Sequence, residues 1–179
     1  MNFCMKCGEP VSVLIPDGDD RPRHVCQACG TVHYRNPKMV VGTIPVHDDR
    51  ILLCRRAIEP RYGRWTLPAG FMENQETVEA GARRETMEEA GAELENLAPF
   101  ALFSLPFVSQ VYLMFRARLL APVFDPGPES LEVKMVSEDG IPWEEIAFPV
   151  IEKTLRLFVA DRKTGRYGFH TGTISRRLD

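Results

Sequence analysis

Residues 70–92 read GFMENQETVEAGARRETMEEAGA, and the rest of the chain can be organised around this stretch. Its second half is typical of a helix that begins after Thr77, since threonine caps helix N-termini, and ends at Gly91, the residue type favoured just after a helix. Three acidic residues of this helix are spaced i, i+3 and i+4 and therefore share one face: Glu85, Glu88 and Glu89.

Acidic side chains at this spacing repel one another, by on the order of 0.2–0.5 kcal/mol for each close pair in water. A divalent cation would explain why they are gathered on one face. A ligand set of oxygens without histidine suits Mg²⁺ or Mn²⁺ better than zinc. The alternative at this point is an acidic helix face that is simply solvated.

The spacing around these acids is specific. Seven positions follow the pattern G-x5-E-x7-R-E-x-x-E-E-x-G, namely Gly70, Glu76, Arg84, Glu85, Glu88, Glu89 and Gly91. Together with the preceding segment 65–69, WTLPA, this pattern resembles the Nudix box of the Nudix hydrolases. Thr86 and Ala92 depart from it, because a larger apolar residue is usual at both positions.

The resemblance implies roles for the residues of the box. It implies that Glu85, Glu88 and Glu89 bind Mg²⁺, with Arg84 in the same catalytic set. The counterparts of Glu76 and Arg84 hold the loop–helix–loop in shape through an ion pair. A backbone carbonyl near Gly70, at Ala69, joins the metal ligands.

Residues 1–35 are organised by two cysteine pairs, Cys4-x2-Cys7 and Cys26-x2-Cys29, each followed by a glycine. The spacing fits a four-cysteine zinc site, which is structural because it leaves no coordination position open. Two disulfides are the alternative, and they are disfavoured in a cytosolic chain. The sequence therefore predicts a small zinc ribbon whose folding depends on metal.

A zinc ribbon can also bind nucleic acid. Here the cationic residues of the segment are balanced by acidic ones, and no basic stripe with interleaved aromatic residues is present, which argues against a nucleic-acid partner. A bracing or dimer-forming role is the alternative.

The remaining segments predict an α+β domain over residues 36–162. Hydrophobic patterns predict strands at 39–46, 51–55, 93–104, 108–120 and 133–136, and an amphipathic helix at 149–162. The Nudix resemblance implies how they pack: an α/β/α sandwich with a mixed sheet, preceded by the zinc ribbon. Residues 163–179 show no clean period and are predicted to be a C-terminal tail, mobile or reaching to a partner.

Composition sets broad limits on the function. Of 179 residues 44% are hydrophobic and 26% charged, and the net charge is −3, which excludes a strongly basic surface for nucleic acid or anionic membranes. No apolar run approaches the roughly 18 residues of a membrane span. The first residues lack the layout of a signal peptide, so we expect a cytoplasmic protein without a membrane partner.

Carboxylates that hold cations against a diphosphate predict hydrolysis of a P–O–P linkage, with a metal-bound water as the attacking group. A further acid outside the helix would orient or deprotonate that water. Glu129 and Glu132, in the loop before the last predicted strand, are equal candidates, and Asp125 is a weaker one. Arg55, from an arginine cluster just before the box, is the candidate for contacting phosphate.

The substrate is a separate question. The ribbon followed by the box resembles the NADH pyrophosphatase branch, but the SQPWPFPxS stretch of that branch is missing, since Ser109-Gln110 continues as VYLM. Residues 65–74, 104–119 and 126–132 instead resemble FAD and ADP-ribose pyrophosphatases. That implies a dinucleotide or nucleoside-diphosphate-sugar substrate that releases AMP, with the aromatic residues Phe107 and Tyr112 as candidates to stack on a base.

Three readings therefore stay open. FAD or ADP-ribose hydrolysis comes first, NADH hydrolysis is the alternative, and a non-catalytic nucleotide-binding regulator is the third. Such regulators commonly lose box carboxylates, whereas Glu85, Glu88 and Glu89 are all present. The resemblance also implies a homodimer.

Overall fold

The computed structural model describes residues 1–175, and its internal contacts divide the chain after Pro37 into two compact units. The first unit is a three-stranded antiparallel sheet of β1 (Val11–Leu14), β2 (Arg23–Cys26) and β3 (Val32–His33). Gly8 and Gly30 both have positive φ, and their N–H groups return to the carbonyls of Cys4 and Cys26. Each cysteine pair thus lies in a tight turn, which confirms the predicted ribbon.

The second unit is built on a mixed sheet in which the strands lie in the order β10-β5-β4-β9-β8-β11. These strands are β4 (Lys38–His47), β5 (Arg50–Arg56), β8 (Leu94–Leu105), β9 (Gln110–Leu119), β10 (Ser130–Val136) and β11 (His170–Thr173). Two short strands, β6 (Trp65–Thr66) and β7 (Ala69–Phe71), pair with β5 and β4. Pairing is parallel between β4 and β9 and between β11 and β8, and antiparallel elsewhere.

Helix α1 (Val78–Ala90) covers one face of the sheet and is bounded as the sequence predicts. The Thr77 side chain accepts a hydrogen bond from the Ala80 N–H, and Gly91 adopts the left-handed conformation that ends the helix. Small buried residues, Gly81 and Ala82, let the helix approach β4 closely, where Val41 is fully buried. This close approach positions the acidic face of α1 next to β7.

Helix α2 (Pro149–Thr164) covers the opposite face and packs Val150, Ile151, Leu155 and Phe158 into the largest apolar core. The two helices on either side of a mixed sheet confirm the predicted α/β/α sandwich. None of the helices within residues 1–175 is long and apolar enough to cross a membrane.

Two predictions about segments are corrected. The predicted tail contains an ordered strand: β11 pairs in parallel with residues 101–104 of β8, and α2 extends two residues beyond Arg162. At the start of β11, the His170 ring packs against Phe100 and contacts Asp161, and it is half-buried. Residues 176–179 lie outside the described part of the chain. Strand β10 begins at Ser130, so Glu132 lies in the strand and not in the loop before it.

Candidate active site and metal centre

Arg84 is the hub of the acidic face of α1. Its Nε and Nη2 donate to the two carboxylate oxygens of Glu76 at 3.0 and 2.8 Å, and Nη2 also donates to the Phe71 carbonyl at 3.1 Å. Its Nη1 donates to Glu85 at 2.8 Å and Glu88 at 3.1 Å. One guanidinium therefore ties the loop after β7 to the second half of the helix and partly neutralises two of the three box acids.

Glu76 is the counterpart that holds Arg84. Bonding to the guanidinium lowers the pKa of Glu76 to about 2, and the Glu73 N–H donates to the same carboxylate at 2.6 Å. The pKa of Arg84 is raised by the same bond. Glu76 also fills the space above Gly81, where a Cβ would lie 2.6 Å from its Oε1. Glu76 is thus fixed on three sides.

Glu89 is the most buried acid of the three. Burial, reinforced by the charge of Glu85, raises the pKa of Glu89 to about 8, while the Ala69 backbone N–H and the charge of Arg56 act in the opposite direction. Its Oε2 is buried and has no hydrogen-bond partner among the described residues. A buried carboxylate oxygen without a donor is costly unless a cation satisfies it, so this residue fits a metal ligand.

Glu85 lies against β7, and Glu88 faces solvent. Burial also raises the pKa of Glu85, although its bond to Arg84 opposes this. The side chain of Glu88 is 58% exposed. Within residues 1–175, the four cysteines form the group whose ligand atoms lie close enough together to surround one metal ion. The carboxylate oxygens of the three box acids lie farther apart from one another.

The structure separates the two candidate loop acids. The negative charge of Glu129 contributes to raising the pKa of both Glu85 and Glu89, so this exposed acid lies near the box. The carboxylate of Glu132 instead lies 3.8 Å from Arg55 Nη1. A β-bulge between Ser130 and Glu132 shifts the register of β10 at this point. Asp125 is tied through its backbone N–H to the Ala90 carbonyl at 2.8 Å, at the C-terminal end of α1.

The two neighbouring arginines also differ. Arg55 donates its Nε–H to the Gly63 carbonyl at 2.9 Å and contacts the Glu132 carboxylate. Its guanidinium is therefore paired with groups of the loop 57–64 and of β10. Arg56 is the cation whose charge lowers the pKa of Glu89 and of Tyr112, and its guanidinium lies 5.1 Å from the centre of the Phe148 ring. Arg56 also donates its Nε–H to a loop carbonyl, that of Pro60 at 2.9 Å, but its charge acts on the acidic centre, whereas Arg55 has a carboxylate partner in Glu132.

The aromatic candidates have different surroundings. Tyr112 is half-buried on β9 and packs against the core under α2, and burial raises the pKa of its phenol. Phe107 lies in a short 3₁₀ helix between β8 and β9 and is 47% exposed. Phe71, which follows Gly70 directly, is similarly exposed, and Lys38 Nζ lies 4.7 Å from its ring centre.

Sequence reasoning placed Arg56 below Arg55 within the arginine cluster and passed over Phe71, for a common reason. Both stand at strand ends next to the box, and only the pairing of β4, β5 and β7 shows which side chains turn towards it. For Arg56 an available signal is strand alternation, which places residue 56 on the same face as Leu52 and Cys54, the face that packs against Ala90 of α1.

The four cysteines of the first unit form a second centre. Their sulfurs all lie within 4.8 Å of one another, with 3.7 Å from Cys4 to Cys29 and 3.5 Å from Cys7 to Cys26. A tetrahedral zinc site with bonds of about 2.3 Å requires sulfurs about 3.8 Å apart. The cysteines are not in disulfides, and their arrangement fits one tetrahedral ion.

The sequence matches two family models, and between them they cover most of the chain. Residues 2–35 match the model described as Nudix N-terminal, a zinc ribbon, and residues 36–158 match the NUDIX domain. Among curated proteins, the chain is 31% identical over 168 residues to the NAD-capped RNA hydrolase NudC of Photobacterium profundum, covering 90% of this chain and 60% of that protein. The chain thus spans about three fifths of that relative's length.

Another curated relative is the human mitochondrial NAD(P)H pyrophosphatase NUDT13, with 32% identity over 107 residues, which cover 60% of this chain and 29% of that protein. Among solved structures, a NUDIX hydrolase from Nitrosomonas europaea superposes with a TM-score of 0.95 at 51% identity, covering 98% of this chain and all of the other. An ADP-ribose pyrophosphatase from Streptococcus suis has a TM-score of 0.62 at 22% identity over 76% of this chain and all of the other, a likeness of fold alone.

Proposed function

The chain belongs to the Nudix family, in its zinc-ribbon branch, and from this premise we propose that it hydrolyses the pyrophosphate linkage of a dinucleotide and releases AMP. The observation that carries the proposal is the buried, unpartnered Oε2 of Glu89 beside Glu85, at the face that Arg84 organises. An acidic surface that is only solvated would leave no carboxylate oxygen buried without a donor.

Glu85, Glu88 and Glu89 would hold Mg²⁺ or Mn²⁺, with the Ala69 carbonyl as a further ligand. When bound, the cation polarises phosphate oxygens and lowers the pKa of a water molecule. We assign to Glu129 the proton from that water, because Glu129 is the loop acid that lies near the box. Oxygen from water bonds to one phosphorus as the P–O–P bond breaks, so each product carries a terminal phosphate.

Arg56 supports this assignment, because its positive charge lowers the pKa of Glu89. A diphosphate brings negative charge next to carboxylates, and a guanidinium can contact phosphate oxygens in a bidentate manner. Each arginine donates its Nε–H to a loop carbonyl, but Arg55 is less suited, since its Nη1 already lies 3.8 Å from the Glu132 carboxylate. The exposed rings of Phe107 and Phe71 are the surfaces on which a base could stack.

Substrates that contain NAD are the first choice. The relatives named above act, by their names, on NAD-capped RNA and NAD(P)H, which favours NADH hydrolysis over the FAD or ADP-ribose reading expected from the sequence. ADP-ribose stays a second candidate because residues 109–114 depart from the stretch typical of the NADH pyrophosphatases. NADH, FAD and ADP-ribose all contain an ADP group, so AMP is their common product, whereas hydrolysis of NAD-capped RNA would leave the AMP unit as the 5′-monophosphate end of the RNA.

We propose that the four-cysteine centre holds Zn²⁺ as a structural ion. That the chain forms a homodimer stays a prediction. The fit of the sulfur–sulfur distances to a tetrahedral ion supports the zinc assignment.

The test is a panel of NADH, NAD-capped RNA, ADP-ribose, FAD and nucleoside triphosphates, assayed with Mg²⁺ or Mn²⁺ and with identification of both products. Glu89→Gln and Glu88→Gln should each lower the rate by about 10²-fold or more, because a metal ligand is removed. Glu79→Gln is the matched control, since Glu79 is exposed on the first turn of the same helix. Equal rates for Glu89→Gln and the wild type would reject the site, and no AMP from any dinucleotide would reject the substrate class.

A further inference from the structure

A buried histidine contacts one of the four ribbon sulfurs. His33 Nε2 lies 3.3 Å from Cys4 Sγ, and both residues are almost fully buried, at 6% and 4% exposure. His33 is the last residue of β3, and Cys4 lies in the first of the two cysteine turns. This contact joins residues 29 positions apart in a unit of only about three dozen residues.

The Cys4 sulfur needs donors more than its exposed neighbours do. A zinc ion with four thiolates carries net negative charge, and N–H groups directed at the sulfurs offset that charge. Cys7 and Cys29 face solvent, which can supply donors, and Cys29 also has the Thr31 hydroxyl at 3.1 Å. Cys4 is buried and relies on the protein: the Lys6 N–H at 3.4 Å and the His33 ring.

We propose that His33 is a positioning residue of the metal centre, whose Nε2–H donates to the Cys4 thiolate and so slows loss of the ion. This inference rests on the proposed zinc site. It concerns a residue outside the Cys-x2-Cys pairs, which supply all four sulfurs. In this role the His33 ring carries a proton on Nε2 and does not coordinate the ion itself.

The chain offers a matched comparison for His33. His24 lies directly opposite His33 in the pairing of β2 with β3. Among the described residues its ring makes no hydrogen bond to a sulfur. A substitution at His24 therefore changes the same residue type in the same small sheet and leaves the Cys4 sulfur with its donors.

The test measures how fast zinc passes from the full chain to a coloured chelator in excess. We expect His33→Leu to release zinc about 10- to 100-fold faster than the wild type, as is usual when a donor to a metal ligand is lost. His24→Leu should release it at the wild-type rate. His33→Gln, whose amide nitrogen reaches about as far as Nε2, should restore much of the slow release, whereas the shorter His33→Asn should not.

Two further measurements show whether a change in release rate is due to the lost donor. Zinc content and circular dichroism at saturating zinc establish that each variant binds one ion and is folded before release begins. With Co²⁺ in place of zinc, His33→Leu should keep the sulfur-to-metal absorption of four thiolates, because His33 is not a ligand. Release from His33→Leu at the rate of His24→Leu would overturn the role of His33. A wild-type chain that binds no zinc would instead remove the zinc site on which the role rests.

Discussion

Gly70 leaves the space in which the carboxylate of Glu85 lies. A Cβ built on Gly70 would be 2.2 Å from Glu85 Oε2 and 2.4 Å from its Cδ. Residue 70 must therefore lack a side chain, because the carboxylate of Glu85, an acid of the candidate site, occupies the space that a side chain would fill. Since the group that it would meet is the end of a flexible side chain, a larger residue would displace the carboxylate and leave the backbone in place.

Gly70→Ala should accordingly lower activity at small cost to stability. We expect at least a 10-fold loss in kcat/KM, because Glu85 is moved from the metal-binding position. The melting temperature should fall by no more than about 2–3 °C, as for a change of at most about 1 kcal/mol in a chain of this size. Activity assays and thermal unfolding of the same preparation check both parts.

Gly127→Ala is the contrasting variant. A Cβ there would lie 1.7 Å from the backbone oxygen of Glu88, which cannot rotate away. This variant should lose stability, by about 1–3 kcal/mol as in other overpacked sites. A stability loss at Gly70 as large as that at Gly127 would contradict the role given to Gly70.

Arg84→Lys tests the hub of the site. Lysine keeps the charge but cannot bond to Glu76 through two nitrogens while reaching Glu85 and Glu88. We expect a 10- to 100-fold loss of activity and a higher Mg²⁺ concentration for half-maximal rate. Arg118→Lys is the control, because its ion pair with Glu95 is largely exposed and should contribute little. Unchanged Mg²⁺ dependence in Arg84→Lys would show that Arg84 does not organise the ligands.

Glu129 and Glu132 should differ in their effect on the chemical step. Loss of a general base typically lowers the rate by about 10²-fold or more, so Glu129→Gln should lower kcat to that extent, and Glu132→Gln should lower it less than about threefold. The pH dependence of kcat for both variants, measured with the best substrate of the panel, checks the assignment. The reverse order would return the role to Glu132.

The raised pKa of Glu89, about 8, makes stability depend on pH. Between about pH 4.5 and 8 the folded chain holds a proton here that the unfolded chain has lost. The free energy of unfolding should therefore fall as pH rises, by at most about 1.4 kcal/mol per pH unit. Denaturant unfolding without added divalent cation, compared with Glu89→Gln, isolates this contribution, since the variant should lack it.

Cation binding should oppose this effect. A cation displaces the Glu89 proton, so apparent Mg²⁺ affinity should rise from pH 6 to 8 in the wild type. Equal slopes for stability in the wild type and Glu89→Gln would show that Glu89 has an ordinary pKa.

Substitution of Thr86 tests a buried hydrogen bond between hydroxyl groups of α1 and β4. Its hydroxyl donates to the Ala82 carbonyl at 2.9 Å and lies 2.7 Å from the Thr43 hydroxyl, with both side chains fully buried. Thr86→Val should cost about 1–3 kcal/mol of unfolding free energy, because it leaves the Thr43 hydroxyl without its partner. Adding Thr43→Val should recover part of the loss in a double-mutant cycle. Strict additivity of the two changes would exclude the connection.

The features that could be predicted from the sequence are those encoded locally. Helix α1 has its own cap at Thr77 and its own terminator at Gly91, and the strands that lead to the box alternate or run apolar, so their predicted bounds lie within about two residues of the observed ones. The cysteine turns are equally local.

What could not be predicted depends on distant pairing. Strand β11 consists of the residues HTGT, which have no apolar alternation and become a strand only by pairing with β8. The different surroundings of Glu129 and Glu132, on which the proposed role of Glu129 rests, depend on a β-bulge whose position is set by the pairing of β10 with β5. Likewise, Thr86 departs from the usual apolar residue because its partner Thr43 lies 43 positions earlier in the chain.

Strand β11 also bears on how the protein is handled. It occupies the outer side of β8, whose backbone N–H and C=O groups at residues 101–104 would otherwise be open. Cutting the chain before His170 would turn β8 into a bare sheet edge, the kind of template on which chains stack into aggregates. A shortened version made for crystallisation should therefore retain the residues through Ser175, and a purification tag is better attached at the other end.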